Sequence, residues 1–218
     1  MRQQAGRARR LTQLEVGLVL FGISDALMLM SGLGATPWDV FHQGLANHLG
    51  TGVGTMVIVV GAAVMLLWIP LHEKPGFGTI SNVFVIGLVM NATMAWLPTP
   101  HGPGPRWAVL LFAIGLNGIA TGAYIGAGMG PGPRDGLMTG YAARGHSIRL
   151  VRTSIEIAVL SSGWLLGGTV GIGTALFALG IGPMAHVFIP LFALKPRRSE
   201  VERSPVRAGG RLAHCENG

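Results

Sequence analysis

Three ionisable residues stand inside long apolar runs of this sequence: Asp25, Glu156 and His186. A charge at the centre of a bilayer costs several kcal/mol by insertion scales, so each marks a candidate for work inside a membrane. Asp25 lies well inside the first run with no basic residue one turn away. It is the foremost candidate, as a carboxylate that exchanges a proton or a cation; the plainer alternative is a buried acid held by neighbouring hydrogen bonds. Glu156 follows Arg152 by four residues on the same helix face, and an intrahelical ion pair would account for both. His186 reads more readily as a satisfied core histidine than as a ligand. Asn82, Asn91 and Asn117 are polar in apolar surroundings, where interhelical hydrogen bonds compete with substrate contacts as their role. No nucleophile-base triad, phosphate loop or metal-ligand cluster accompanies them, and the single cysteine, Cys215, lies in a charged tail without an internal partner. The sequence therefore asks for no enzyme chemistry, no metal and no cofactor.

A second set of candidates is organised by repetition. Gly32-Leu33-Gly34-Ala35-Thr36-Pro37-Trp38-Asp39 recurs as Gly128-Met129-Gly130-Pro131-Gly132-Pro133-Arg134-Asp135, a shift of 96 (128 − 32). Gly22 matches Gly118, Gly44 matches Gly140 and Ala46 matches Ala142 at the same shift, while Gly76-Phe77-Gly78-Thr79 matches Gly171-Ile172-Gly173-Thr174 and Gly87 matches Gly182 at 95. Sustained self-similarity of this kind indicates an internal duplication. The glycines admit backbone conformations closed to other residues, and Pro37 and Pro133 lack an amide hydrogen, so a helix must break at each copy. Asp39 and Asp135 then fall near the first turn of whatever helix follows, where a carboxylate suits the orphan amides and the dipole. They read as caps, or as part of paired broken segments, 39–48 and 135–144, that dip in from opposite faces and line a path, or that lie flat at the interface. Where the copies differ, Trp38 suits an outer membrane interface and Arg134 a cytoplasmic one. Arg134, Arg144, Arg149 and Arg152 could alternatively form an anion-attracting inner vestibule.

These candidates need elements to position them, and composition states which. Half of the residues are hydrophobic, only 11% are charged and 35 are glycine, as in a polytopic membrane protein. The net charge of +7 sits in loops and tails, which argues against a nucleic-acid partner. Apolar segments at about 16–30, 53–70, 79–97, 107–127, 151–166 and 174–194 predict six spans, the first and fifth needing flanking residues to reach across. The basic start followed by an apolar run also fits a signal peptide, but no cleavage site introduces a soluble domain. With the amino terminus in the cytoplasm, fifteen of the 16 Lys and Arg fall inside and only Arg106 outside, as the positive-inside rule asks, so both termini are expected in the cytoplasm. Three spans per copy is an odd number, so the second copy enters the membrane from the opposite side. The expected fold is an all-α membrane protein of six transmembrane helices from two inverted three-helix repeats, 12–100 and 107–195, in a single transmembrane domain over 1–218. Tails 1–11 and 196–218 are expected to be disordered. Small residues spread through the spans predict close helix packing, and Gly118 and Gly122 offer either internal packing or a homodimer face.

The stretches 32–44 (Gly-Leu-Gly-Ala-Thr-Pro-Trp-Asp-Val-Phe-His-Gln-Gly), 124–140 (Tyr-Ile-Gly-Ala-Gly-Met-Gly-Pro-Gly-Pro-Arg-Asp-Gly-Leu-Met-Thr-Gly) and 149–153 (Arg-Leu-Val-Arg-Thr) resemble the YczE/YitT family of bacterial integral membrane proteins. The resemblance covers about 12–195 and implies a multi-pass protein of the bacterial cytoplasmic membrane. It also implies kinship with small-molecule exporters, or with members linked to modulating secondary-metabolite production, and it carries over no residue set. Two functions follow. One is a secondary transporter or exporter of a small molecule, coupled to protons through Asp25. The alternative is a non-transporting scaffold or regulator of a cytoplasmic partner such as a secondary-metabolite pathway enzyme. The expected partners are the lipid bilayer and an unknown small-molecule substrate, with a homodimer as an option and no nucleic acid. A polar cavity between the halves that includes Asp25 would favour the transporter, since a scaffold has no need of that acid.

Overall fold

The computed structural model describes residues 2–145 and 147–194. The expectations for Cys215, the tail 196–218 and the cationic residues from Lys195 onward lie outside the described residues. Within them the chain is all-helical: α1 (Arg2–Ser31), α2 (Pro37–Leu49), α3 (Val53–Leu66), α4 (Trp68–Leu71), α5 (Phe77–Trp96), α6 (Pro103–Gly126), α7 (Pro133–Ala142), α8 (Ile148–Leu165) and α9 (Ile172–Phe192). Five segments, Gly6–Ser31, Val53–Leu71, Phe77–Trp96, Pro103–Gly126 and Ile172–Phe192, are long and apolar enough to cross a membrane. The expected fifth span is α8, which carries Arg149, Arg152 and Glu156 within 18 residues. Five candidate spans, not six, therefore stand on length and composition. The start of the chain also departs from expectation. Residues 2–11 belong to α1 instead of forming a tail. Arg10 Nη1 donates to the Ala127 carbonyl at 3.0 Å, and Gln13 Nε2 donates to the Ala123 and Phe192 carbonyls at 3.0 and 2.9 Å, so this turn caps the free carbonyl ends of α6 and α9.

The core forms around α1, which packs against α5 on one side and α6 on the other, with α9 behind α6. Leu14, Leu18, Ala26 and Leu29 of α1 meet Ile86 and Met90 of α5 and Tyr124 of α6, and Met28 meets Leu110, Ala113 and Ile114. Close approach depends on small residues, as expected where lipid supplies no hydrophobic drive. A side chain at Gly118 would strike Met184, and one at Gly122 would strike Phe188. These two glycines are thus occupied by α9 and do not form a dimer face.

The two Gly-rich breaks have the same backbone. Gly32 and Gly34 adopt φ of 62° and 117°, while Gly128 and Gly130 adopt 63° and 119°. Each break is held by the start of the third long helix of the other half. Gly173 N–H donates to the Leu33 carbonyl at 2.8 Å, and Gly78 N–H donates to the Met129 carbonyl at 2.9 Å. Thr79 Oγ1 adds a 2.8 Å bond to the Pro131 carbonyl. At Gly34 a Cβ would lie 2.8 Å from Gly171 N, so both dihedral and space demand glycine. Gly34→Ala and Gly130→Ala should each destabilise the protein by about 1–3 kcal/mol, the cost of forcing a side chain into such backbone. Gly115→Ala, with open space at mid-α6, should be neutral or slightly stabilising. Loss of monodisperse detergent-solubilised protein on heating measures this; a Gly34→Ala protein as stable as its parent would show that the break does not depend on this conformation.

Candidate functional site

The breaks return the chain as two short helices, each with proline in its first turn, where a missing amide hydrogen does no harm. At α2 the cap is Thr36: its Oγ1 accepts from Asp39 N–H at 3.2 Å and donates to Asp39 Oδ2 at 2.6 Å. Asp39 Oδ1 lies 3.4 Å from His42 Nδ1. The expectation that Asp39 caps by accepting backbone amides is thus corrected. The shorter threonine does so, and the carboxylate orders the threonine hydroxyl and faces inward. Asp135 does not cap α7 either; its Oδ2 accepts the Tyr124 hydroxyl at 2.6 Å.

The N-termini of α2 and α7 face one another. The Arg134 guanidinium lies over the Trp38 ring, 5.2 Å from its centroid, and Arg134 Nη2 is 4.0 Å from Asp39 Oδ1. Trp38 is 7% exposed. The expectation that Trp38 and Arg134 anchor opposite interfaces therefore gives way to a cation–π contact between the two copies of one motif position.

Beside this contact lies a cavity of about 200 Å³ walled by both halves. Thr36, Trp38 and Asn82 come from the first half, and Asn117, Arg134 and Asp135 from the second, among apolar side chains such as Phe21, Ile86, Phe177 and Ile181. Its far wall is α8, where Arg152 Nε donates to Glu156 Oε1 at 2.8 Å. An adjoining hollow of about 230 Å³ shares Asp135, Met138 and Arg152 and adds Arg149. Arg149 and Arg152 line this hollow, whereas Arg144 donates to the Pro70 carbonyl. Converging helix N-termini with an arginine suit a polar or anionic group, and the remaining wall suits an apolar body.

Asp25 is fully buried next to this cavity and does not line it, so the expected cavity that includes this acid is not the one found. Asn117 Nδ2 donates to Asp25 Oδ1 at 2.8 Å and to Ser24 Oγ at 2.9 Å, so the amide in the cavity wall stands between Asp25 and the open space. Asn91 is elsewhere, joining α5 to α3 by accepting from Gly54 N–H at 2.9 Å and donating to Thr55 Oγ1 at 3.1 Å. His186 is exposed on α9, and the reading of it as a core histidine is corrected: the helix turns that face outward. Sequence reasoning passed over Thr36, His42 and Tyr124. The first had a signal, since Thr-x-x-Asp ahead of an apolar run is a capping pattern.

The helices and the shared cavity define a multi-pass helical membrane protein. Over residues 8–190 the chain matches the model of a family described as a family of unknown function, DUF6198, and it belongs to that YczE-type membrane protein family. It is 41% identical over 180 residues to an uncharacterized protein of Haemophilus influenzae, covering 82% of this chain and 83% of that one. It is 30% identical over 198 residues to the uncharacterized membrane protein YczE of Bacillus subtilis, covering 87% and 92%. No solved structure matches the chain.

If the stacked pair holds the two half-helices together, its parts must be coupled. A double-mutant cycle of Arg134→Gln and Trp38→Leu on thermal unfolding in detergent should return a coupling of about 1 kcal/mol. Additive effects would reduce the contact to mere proximity.

Proposed function

We propose that this protein is a secondary transporter that moves a small molecule with an apolar body and a polar or anionic group between two inverted repeats. In this reading the repeats are 12–100 and 107–195, and α8 is the sixth crossing, its 18 residues reaching about 27 Å with Arg149 extended to the cytoplasmic surface and Arg152 paired with Glu156. Both termini are cytoplasmic, in a bacterial inner membrane. The shared φ values of the breaks and their reciprocal hydrogen bonds support the repeat, and half-helix N-termini meeting beside a cavity support a substrate site between the halves.

The observation that carries the reading is an inequality between two corresponding seams. α3 packs along α5: a side chain at Gly87 would collide with the Gly54 carbonyl, and Gly61 rests on Val83. The corresponding helices α8 and α9 have no comparable packing, Gly182 faces open space, and the cavity lies between them. Two copies of one unit in two arrangements, one seam closed and one open, is what alternating access by inverted repeats requires. With the termini inside, the open seam and the arginine-lined hollow face the cytoplasm, the state that would load an exported substrate. A static scaffold has no use for the difference.

Reporter fusions after Pro98 and after Leu194 should score outside and inside; the reverse at either point would sink the topology. For transport, Gly61→Cys with Val83→Cys in a Cys215→Ser background places two Cβ atoms at disulfide distance across the closed seam. Oxidation should stop substrate movement in proteoliposomes screened over a compound panel, and reductant should restore it. Undiminished transport with the seam locked would overturn alternating access, and no transport of any compound by the reduced protein would leave the regulator reading ahead.

A further inference from the structure

We propose that Ser24, Asp25 and Asn117 form a proton-binding site, with Asp25 Oδ2 as the atom that takes the proton and Asn117 as the link to the cavity. Its use in coupling rests on the transporter reading, but the site itself does not.

The argument is one of donors and acceptors. The Ser24 hydroxyl donates to the Phe21 carbonyl at 2.7 Å, which commits its proton. Ser24 Oγ can then only accept from Asn117, which fixes the amide with its NH₂ toward Ser24 and gives the second N–H to Asp25 Oδ1. Two buried acceptors remain, Asp25 Oδ2 and Asn117 Oδ1, and neither has a hydrogen-bond partner among the described residues. All three side chains are fully buried. A carboxylate in such a place, supported by one amide donor, is a costly arrangement. One proton on Oδ2 neutralises the charge, which removes the larger cost of burying the group. A metal cation would not, because hard cations gather about six oxygens and only two are free here.

The surroundings leave this carboxyl to the proton. α5, packed against α1, carries no titratable residue, and the charged groups whose fields reach Asp25 are Asp39 of α2 and Arg134 of α7. On α6, Arg106 is spent on the Ser31 and Gly32 carbonyls and Tyr124 on Asp135. The cluster is also single. At the repeat shift of 96, Asp25 corresponds to Thr121 and Asn117 to Phe21, so the second half holds no equivalent acid. The step balances simply: with the Asn117 amide moved aside, a hydronium ion entering from the cavity gives its proton to Asp25 Oδ2, one O–H bond breaks and one forms, and water is left. The reverse step passes the proton from Oδ2 to a water in the same place, which leaves the cavity as hydronium while the Asn117 amide returns to the carboxylate.

Infrared spectroscopy of the purified protein reads the site without any transport assay. The wild type should show the carbonyl stretch of a protonated carboxylic acid at neutral pH. That band should vanish in Asp25→Asn and shift in Asn117→Ala, where the amide donor is gone, and it should be insensitive to sodium. Asp25→Asn and wild-type spectra without a difference in this region would overturn the proposal, as would displacement of the band by sodium. Should Asp25→Asn fail to fold, an unshifted band in Asn117→Ala overturns it equally. In proteoliposomes, Asp25→Asn should keep substrate counterflow but lose accumulation driven by a pH gradient; retained pH-driven accumulation would refute coupling at this acid. A wild type that moves nothing would sink the transporter reading while the infrared test still decides the site.

Discussion

A chain that breaks its helices within a packed core must find partners for the freed amides and carbonyls, because buried backbone groups cannot turn to water. Both breaks here solve this by reaching across to the other half. The Leu33 carbonyl takes the Gly173 amide, and the Met129 carbonyl takes the Gly78 amide. These bonds need backbone against backbone, and the sequence Gly-x-Gly-Thr at the start of both α5 and α9 makes the approach possible. The halves are interlocked by exchange, and the positions of α2 and α7, the cavity and the cluster around Asp25 follow from it.

The exchange brings two helix N-termini together, and like partial charges must then be offset. Asp39 and Asp135 supply negative charge at the two termini, and each is held by a hydroxyl, from Thr36 and from Tyr124. Arg134 adds a positive charge but rests it on the Trp38 ring, whose face is electron-rich, with Asp39 at the edge of ion-pair distance. The copies differ at four motif positions, and Trp38 against Arg134 is the one at which they stack on each other. Identical residues there would stack two cations or two indoles, whereas the cation and the ring are complementary.

Much of the frame was legible in the sequence because it rests on local requirements. Glycine at 32, 34, 128 and 130 is demanded by positive φ, so its spacing survives duplication and can be read directly. Apolar length gave the long helices by the same logic. The site was less legible because it rests on distant pairs. Asn117 meets Asp25 across 92 positions, and nothing local marks it among other intramembrane asparagines. Trp38 and Arg134 were visible as equivalents, and equivalence hid the fact that they are partners. The first turn of α1 read as a charged tail because its arginines dominate the composition, whereas the acceptors that order Arg10 lie at the end of α6.

The same divergence bears on how such a molecule could move. In the first half, Trp68 fills the space over Gly136 and donates to the Pro133 carbonyl at 3.1 Å; in the second, Gly163 lets the backbone of Val40 and Phe41 come close. Bulk and gap have traded sides, so the two half-helices are gripped differently. The seams differ in kind as well. Opening α3 from α5 would strip Asn91 of bonds to Gly54 and Thr55, each worth about 1 kcal/mol or less, and would separate small-residue surfaces that lipid can cover. Closing α8 on α9 would bury Arg152 and Glu156 against an apolar helix, which is tolerable only while their ion pair stays intact. Pro183 and Pro190 interrupt the hydrogen-bond ladder of α9 alone, giving that helix the freedom to bend that α5 lacks. The pliant helix thus borders the open seam and the cavity, and the stiff one borders the closed seam.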